Sequence, residues 1–148
     1  MLMRTQESSL KRVEKWITSL APDGFDVQTL PKTPDGKERY SIQLSHRFVD
    51  YKVEIVFHGE TVSFAALLLD AGGTSRAQEL YQYALELNSY MNAAHIAVVE
   101  EGKLVLMHSF IVKDFAERWI YRDLANFNEA HEYAFGKIIE KYKKLKAA

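Results

Sequence analysis

From Tyr51 to Leu68 the chain reads YKVEIVFHGETVSFAALL, and this stretch folds back on itself in one sensible register. With Gly59 and Glu60 as a two-residue turn, glycine first, Phe57 faces Val62 and Ile55 faces Phe64. Val53 then faces Ala66, and Tyr51 faces Leu68. Every pair on that side is apolar, while Lys52 and Glu54 point the other way. Turn chemistry and side-chain alternation therefore agree. The result is a β-meander with one buried face, and the helical segments on either side are the natural cover.

Upstream, Tyr40, Ile42 and Leu44 alternate with Ser41 and Gln43, the pattern of a half-buried strand. Phe25 to Leu30 gives a further short strand, closed by the turn-rich Pro31 to Gly36. Before it, Leu10, Val13, Trp16, Ile17 and Leu20 recur at helical spacing and stop at Ala21-Pro22-Asp23-Gly24. Downstream of the meander, Gly72-Gly73 breaks the strand. Thr74 or Ser75 can cap a helix to about Met91, with Ala77, Leu80, Ala84 and Leu87 on its apolar stripe.

A second hairpin follows. Placing Glu101-Gly102 in its turn sets Val99 opposite Leu104, Ala97 opposite Leu106 and His95 opposite His108. From about Val112 the pattern is helical again, and Leu124, Phe127, His131, Phe135, Ile138, Tyr142 and Leu145 form one long stripe. The expected order is helix, three or four strands, helix, two strands, helix. That is an α+β fold of two layers, a mainly antiparallel sheet with helices on one side, within a single domain spanning 1–148.

Bulk properties narrow the function. At 148 residues, 47% hydrophobic and 26% charged, the chain has globular composition and the length of one ordinary domain. A formal charge of −1 gives no reason to expect nucleic acid or an anionic membrane as the main partner. The absence of cysteine removes disulfides, thiolate metal sites and cysteine nucleophiles, and fits a cytoplasmic protein. The start has no apolar signal region, and the longest apolar run is too short to span a bilayer.

Two constellations hint at chemistry. Leu67-Leu68-Leu69-Asp70-Ala71-Gly72-Gly73-Thr74 resembles the phosphate loop of sugar kinases and actin-like ATPases, where glycines let backbone N–H groups approach a phosphate. In those folds the loop opens a hairpin, whereas here it leads into a helix. What survives is an anion site at Gly72, Gly73, Thr74 and Ser75, weighed against a plain strand-to-helix turn. His95 and His108, directly opposite in the register above, would have Cβ atoms about 5 Å apart and could share a metal. The plainer reading is two histidines bonded locally at a strand end. No nucleophile motif, Walker loop or zinc-protease helix is present. No catalytic residue and no cofactor is assigned.

The order of elements resembles the fold of the type III secretion chaperones and of the bacterial YbjN family of sensory transduction regulators. The most specific piece runs from Leu80 to Leu106: a helix carrying Leu87-Asn88, a short strand, and Glu100-Glu101-Gly102-Lys103-Leu104-Val105-Leu106. It is similar to that family's helix-Asn, strand, acidic-Gly turn, strand signature, with Leu87-Asn88 where the family has Trp-Asn. The resemblance implies a non-catalytic dimer that binds a protein or peptide segment or acts as a regulatory partner.

The strands themselves point the same way. Thr61–Leu69 and 94–110 carry apolar residues on both faces, and helices on one side hide only one of them. Leu67, Leu69, Ile96, Val98, Val105 and Met107 are the expected contact residues of a homodimer or protein interface. A small-ligand or metal-binding protein, using the Asp70–Thr74 loop or the His95/His108 pair, is the alternative.

Overall fold

The computed structural model of the chain describes residues 25–58, 61–92, 94–111 and 120–147, together with Lys15. Strands β1 (Val27–Leu30), β2 (Arg39–Ser45), β3 (Asp50–His58) and β4 (Thr61–Asp70) are followed by helix α1 (Ala77–Glu86). Then come β5 (His95–Val99), β6 (Lys103–Ile111) and the long helix α2 (Ile120–Ala147). The expected first helix around Leu10 to Leu20, the turn Gly59-Glu60 and the segment 112–119 lie outside the described residues.

All six strands form one antiparallel sheet in the order β1-β2-β3-β4-β6-β5. The expected α+β architecture is therefore present, with both described helices on one side of the sheet. Because β6 lies between β4 and β5, the chain leaves β4, crosses over through α1 to the far edge and returns to fill the gap.

The first hairpin has the register read from its turn: Phe57 pairs with Val62 and Ile55 with Phe64. Alternation puts Tyr51, Val53, Ile55 and Phe57 on the buried side, with Val62, Phe64, Ala66 and Leu68 beside them. The helices close over this face. On α1 and the short 3-10 turn that extends it (Leu87–Tyr90), Leu80, Ala84 and Leu87 are buried. On α2 the buried positions are Leu124, Phe127, His131, Ala134 and Ile138, spaced three and four apart as one helical face requires.

The second hairpin departs from the expected register by one residue. Val99 pairs with Lys103, Val98 with Leu104, Ala97 with Val105, Ile96 with Leu106 and His95 with Met107. Its turn has three residues, Glu100–Gly102, and Glu101 at φ 64° and Gly102 at φ 80° are both left-handed. The left-handed Glu101 lengthens the loop by one residue and turns β5 over, because side chains alternate with a period of two.

The start of α1 also differs from expectation. Neither Thr74 nor Ser75 caps it; the N-cap is Arg76, itself left-handed at φ 63°, without a side-chain capping bond. The helix stops at Glu86 rather than near Met91. There the Ser89 hydroxyl donates to the Glu86 carbonyl (2.9 Å), and Asn88 turns its side chain toward β5.

Candidate functional site

The face of the sheet away from both described helices changes character along its width. Around β2 and β3 it is polar, crossed by an Arg39–Glu54 ion pair at 2.8 Å, and further along β4 by a Ser63–Ser109 hydroxyl contact at 3.0 Å. Toward β6 and β5 it becomes apolar. Two rows cross the three strands there: Ala65, Met107 and His95 in one, Leu67, Val105 and Ala97 in the next. Val99 and Ile111 extend the same face along their strands. Leu67 is 51% exposed, Ile111 41% and Val99 39%, with the Ser63–Ser109 row between Met107 and Ile111.

Three of the expected contact residues, Leu67, Val105 and Met107, lie together in this strip. The other three are elsewhere. Ile96 is 2% exposed and belongs to the hydrophobic core, so its place as a surface contact is corrected. Val98 and Leu69 both pair with or adjoin Leu104 on the helix side of the sheet. The one-residue turn difference in the β5–β6 hairpin moves Ile96 and Val98 to the helix side, where Val98 is still 38% exposed, and brings Ala97 and Val99 to the outer face. Leu69 moves because β4 is bulged: Leu67 pairs with Val105, but Leu69 pairs with Leu104, so the strand changes faces between them.

That bulge is tied from behind. The Leu67 carbonyl accepts a hydrogen bond from His131 Nε2 at 3.0 Å, across the sheet from the exposed Leu67 side chain. His131 Nδ1 lies 2.8 Å from His46 Nε2, and His46 Nδ1 accepts from the Phe48 N–H at 3.2 Å. The proton positions follow from the partners. A carbonyl only accepts, so His131 Nε2 donates and its Nδ1 accepts; an N–H only donates, so His46 Nδ1 accepts and its Nε2 donates. Each ring is neutral, and the chain runs in one direction from Phe48 to Leu67.

Protonating His131 would oppose two N–H groups along the His46–His131 contact. Burial is the main force pulling the His131 imidazole down to about 4, opposed by the Leu67 carbonyl and assisted by His46. Burial lowers His46 as well, with Glu132 pulling the other way. Beside this chain the Tyr51 hydroxyl donates to Asn128 Oδ1 at 2.8 Å, and Asn128 Nδ2 donates to the Ser45 carbonyl at 3.0 Å. Burial raises the Tyr51 phenol well above its ordinary value, so it stays a donor.

The β2–β3 loop completes the clamp. Arg47 pairs with Glu132 at 3.3 Å and lies 4.5 Å over the Phe48 ring, which fits where Gly136 has no Cβ. Sequence reading placed His131 on the α2 stripe but gave it no structural role. A histidine at an otherwise apolar position, four residues after Phe127, was the available signal.

The two sequence-derived ligand candidates are taken up by the fold. His95 pairs with Met107 on the outer face, and His108 pairs with Phe64 on the helix face, so the expected His95/His108 juxtaposition does not exist. Among the described residues no group of three or more histidines and acids is placed to hold a metal. At the Asp70–Thr74 loop, the Gly72 N–H donates to Asp70 Oδ1 at 3.2 Å, putting a carboxylate where an anion would lie. A Cβ on Gly72 would sit 2.1 Å from the Glu101 carbonyl oxygen, and the Ala71 N–H donates to the Gly102 carbonyl at 3.3 Å. Gly72 is needed for this close packing of two loops. Gly73, at φ 78°, supplies the turn, and Thr74 and Ser75 precede a helix that begins only at Ala77.

No family model matches the chain, and no curated protein matches it. Solved structures do. A chain of the ExsC–ExsE complex superimposes with a TM-score of 0.57 at 14% identity, over 84% of this chain and 92% of that one. YbjN from E. coli superimposes at 0.54 and 16% identity, over 93% of each chain. An uncharacterised protein from Methanothermobacter thermautotrophicus gives 0.55 at 15% identity, over 90% of this chain and 98% of the other. The chain therefore has the fold that its sequence resembles, with the neighbours spanned nearly end to end. None of the described helices is long and apolar enough to cross a membrane.

Proposed function

We propose that this chain is a non-catalytic protein-binding or regulatory module of a single cytoplasmic domain, and that it works as a homodimer. The observation that carries the reading is the outer strip of β4, β6 and β5. Leu67, Val105 and Met107 lie side by side on the side of the sheet away from both described helices, with Val99 exposed at one end of that face and Ile111 at the other, beyond the Ser63–Ser109 row. Such a surface is hidden at an interface in most folded proteins, and a two-fold axis allows one patch to cover its own copy. Met107, unbranched and polarisable, suits a contact that must adapt.

A second copy is the occupant the strip fits best. It is bounded on the β3 side by the Arg39–Glu54 pair, giving an apolar centre with a polar margin, the usual anatomy of a protein interface. The ExsC–ExsE structure adds an example of this fold in a complex of two proteins. Light scattering at micromolar concentration tests the reading. A mass of twice the 17.0 kDa chain is expected, and a mass of one chain throughout that range would refute it.

A further inference from the structure

On the helix side of the sheet, a cleft of about 510 Å³ opens between the end of the 3-10 turn, the start of β5 and the N-terminal half of α2. Its floor is apolar, with Phe127 and Ala94 buried. Its rim is aromatic: Tyr90 is 76% exposed and Tyr133 39%. Asp123 and Glu129 stand on the α2 wall, and His108 reaches in from β6. Among the described residues that line the cleft there is no lysine or arginine.

We propose that this cleft takes the arginine side chain of a partner's peptide segment. The inference rests on the protein-binding reading above and assigns that partner a chemistry. Exposed tyrosine faces attract a planar cation, a carboxylate pairs with two guanidinium N–H groups at once, and an apolar floor accepts the side chain's methylene stem. Burial pushes the Asp123 carboxyl up, with His108 and Arg122 acting against that, so a bound cation would relieve a desolvated charge.

The cleft and the apolar strip lie on opposite sides of the sheet, so the two are tested separately. The probe is N-acetyl-arginine N-methylamide, titrated into the full chain to about 10 mM and followed by backbone NMR, a range suited to a single side-chain contact. Shifts are expected at Met91, Asn126 and Ala130. The citrulline analogue, equal in shape but neutral, should bind about tenfold more weakly or not at all, as should wild-type probe with Asp123→Asn. Methylguanidinium should also bind about tenfold more weakly, because it lacks the stem and the flanking amides.

No shift with the arginine probe, or equal binding of the citrulline analogue, overturns the proposal. Equal binding of methylguanidinium would make this a site for small free cations and overturn the peptide assignment. The citrulline comparison needs no variant and decides the matter even if Asp123→Asn fails to fold. A negative result here leaves the mass measurement above, and the dimer reading, where they stand.

Discussion

The imidazole of His131 lies flat on the ring of Tyr51, with centroids 3.6 Å apart and planes within 4°. The two residues come from α2 and β3, and the stack sits beside a hydrogen-bonded chain that ends on the bulge of β4. Helix docking, the β2–β3 loop and the strand irregularity beneath Leu67 are thus joined by one buried polar seam.

The seam makes stability depend on pH in a defined direction. His131 is held at about 4 against an ordinary 6.5. At pH 7 and above neither the folded nor the unfolded chain protonates it. Between about 6.5 and about 4 the unfolded chain takes up a proton that the folded chain refuses, so stability falls as pH drops, by at most about 3 kcal/mol. Below that window the loss from this residue levels off. Urea midpoints measured from pH 7.5 to 4.5 should show the decline, and His131→Gln should be less stable at pH 7.5 but lose much of the slope. Equal slopes in both proteins would show that His131 is not the group responsible.

Asn88 closes the sheet edge at β5. Its side-chain amide accepts from the Ile96 N–H at 2.6 Å and donates to the Ile96 carbonyl at 3.0 Å, standing in for a neighbouring strand. Asn88→Ala should cost about 2 kcal/mol for the two backbone groups left open. Hydrogen exchange at the Ile96 amide should accelerate by about tenfold or more relative to core amides such as Ile55. Unchanged exchange would mean that the edge is protected by something else.

Gly72 and Gly73 separate close packing from backbone angle. Gly72→Ala forces a methyl against the Glu101 carbonyl and should destabilise the protein by about 3 kcal/mol. At Gly73 a Cβ meets nothing within 4 Å, and only the positive φ resists it, so Gly73→Ala should cost about 1 kcal/mol. Thermal melts of the two variants check the order. A larger loss at Gly73 would contradict the loop packing described.

Much of the fold was legible in the chain because turn length and alternation constrain each other. At Phe57–Val62 both pointed to one register, and that register is found. At the second hairpin the same logic failed at one residue. Glutamate is a poor signal for a left-handed position, so nothing in Glu100-Glu101-Gly102 announced a three-residue loop, and β5 turned over. The apolar strip was therefore half visible: Leu67, Val105 and Met107 were expected, while Val99 and Ile111 replaced Ile96 and Val98. The His46–His131 contact joins residues 85 apart in sequence, and no local pattern encodes which loop meets which helix turn. The β4 bulge was equally hidden, since Leu67, Leu68 and Leu69 offer the same chemistry to either face.

The most direct test of the protein-binding account is the solution mass of Leu67→Glu beside that of the wild type, both by light scattering at micromolar concentration. A glutamate at the centre of the outer strip faces water in one subunit but would be desolvated against a second. The account predicts a wild-type dimer and a folded, monomeric variant with an unchanged circular dichroism spectrum. A variant that keeps the dimer mass would contradict it, and so would a wild type that is already monomeric.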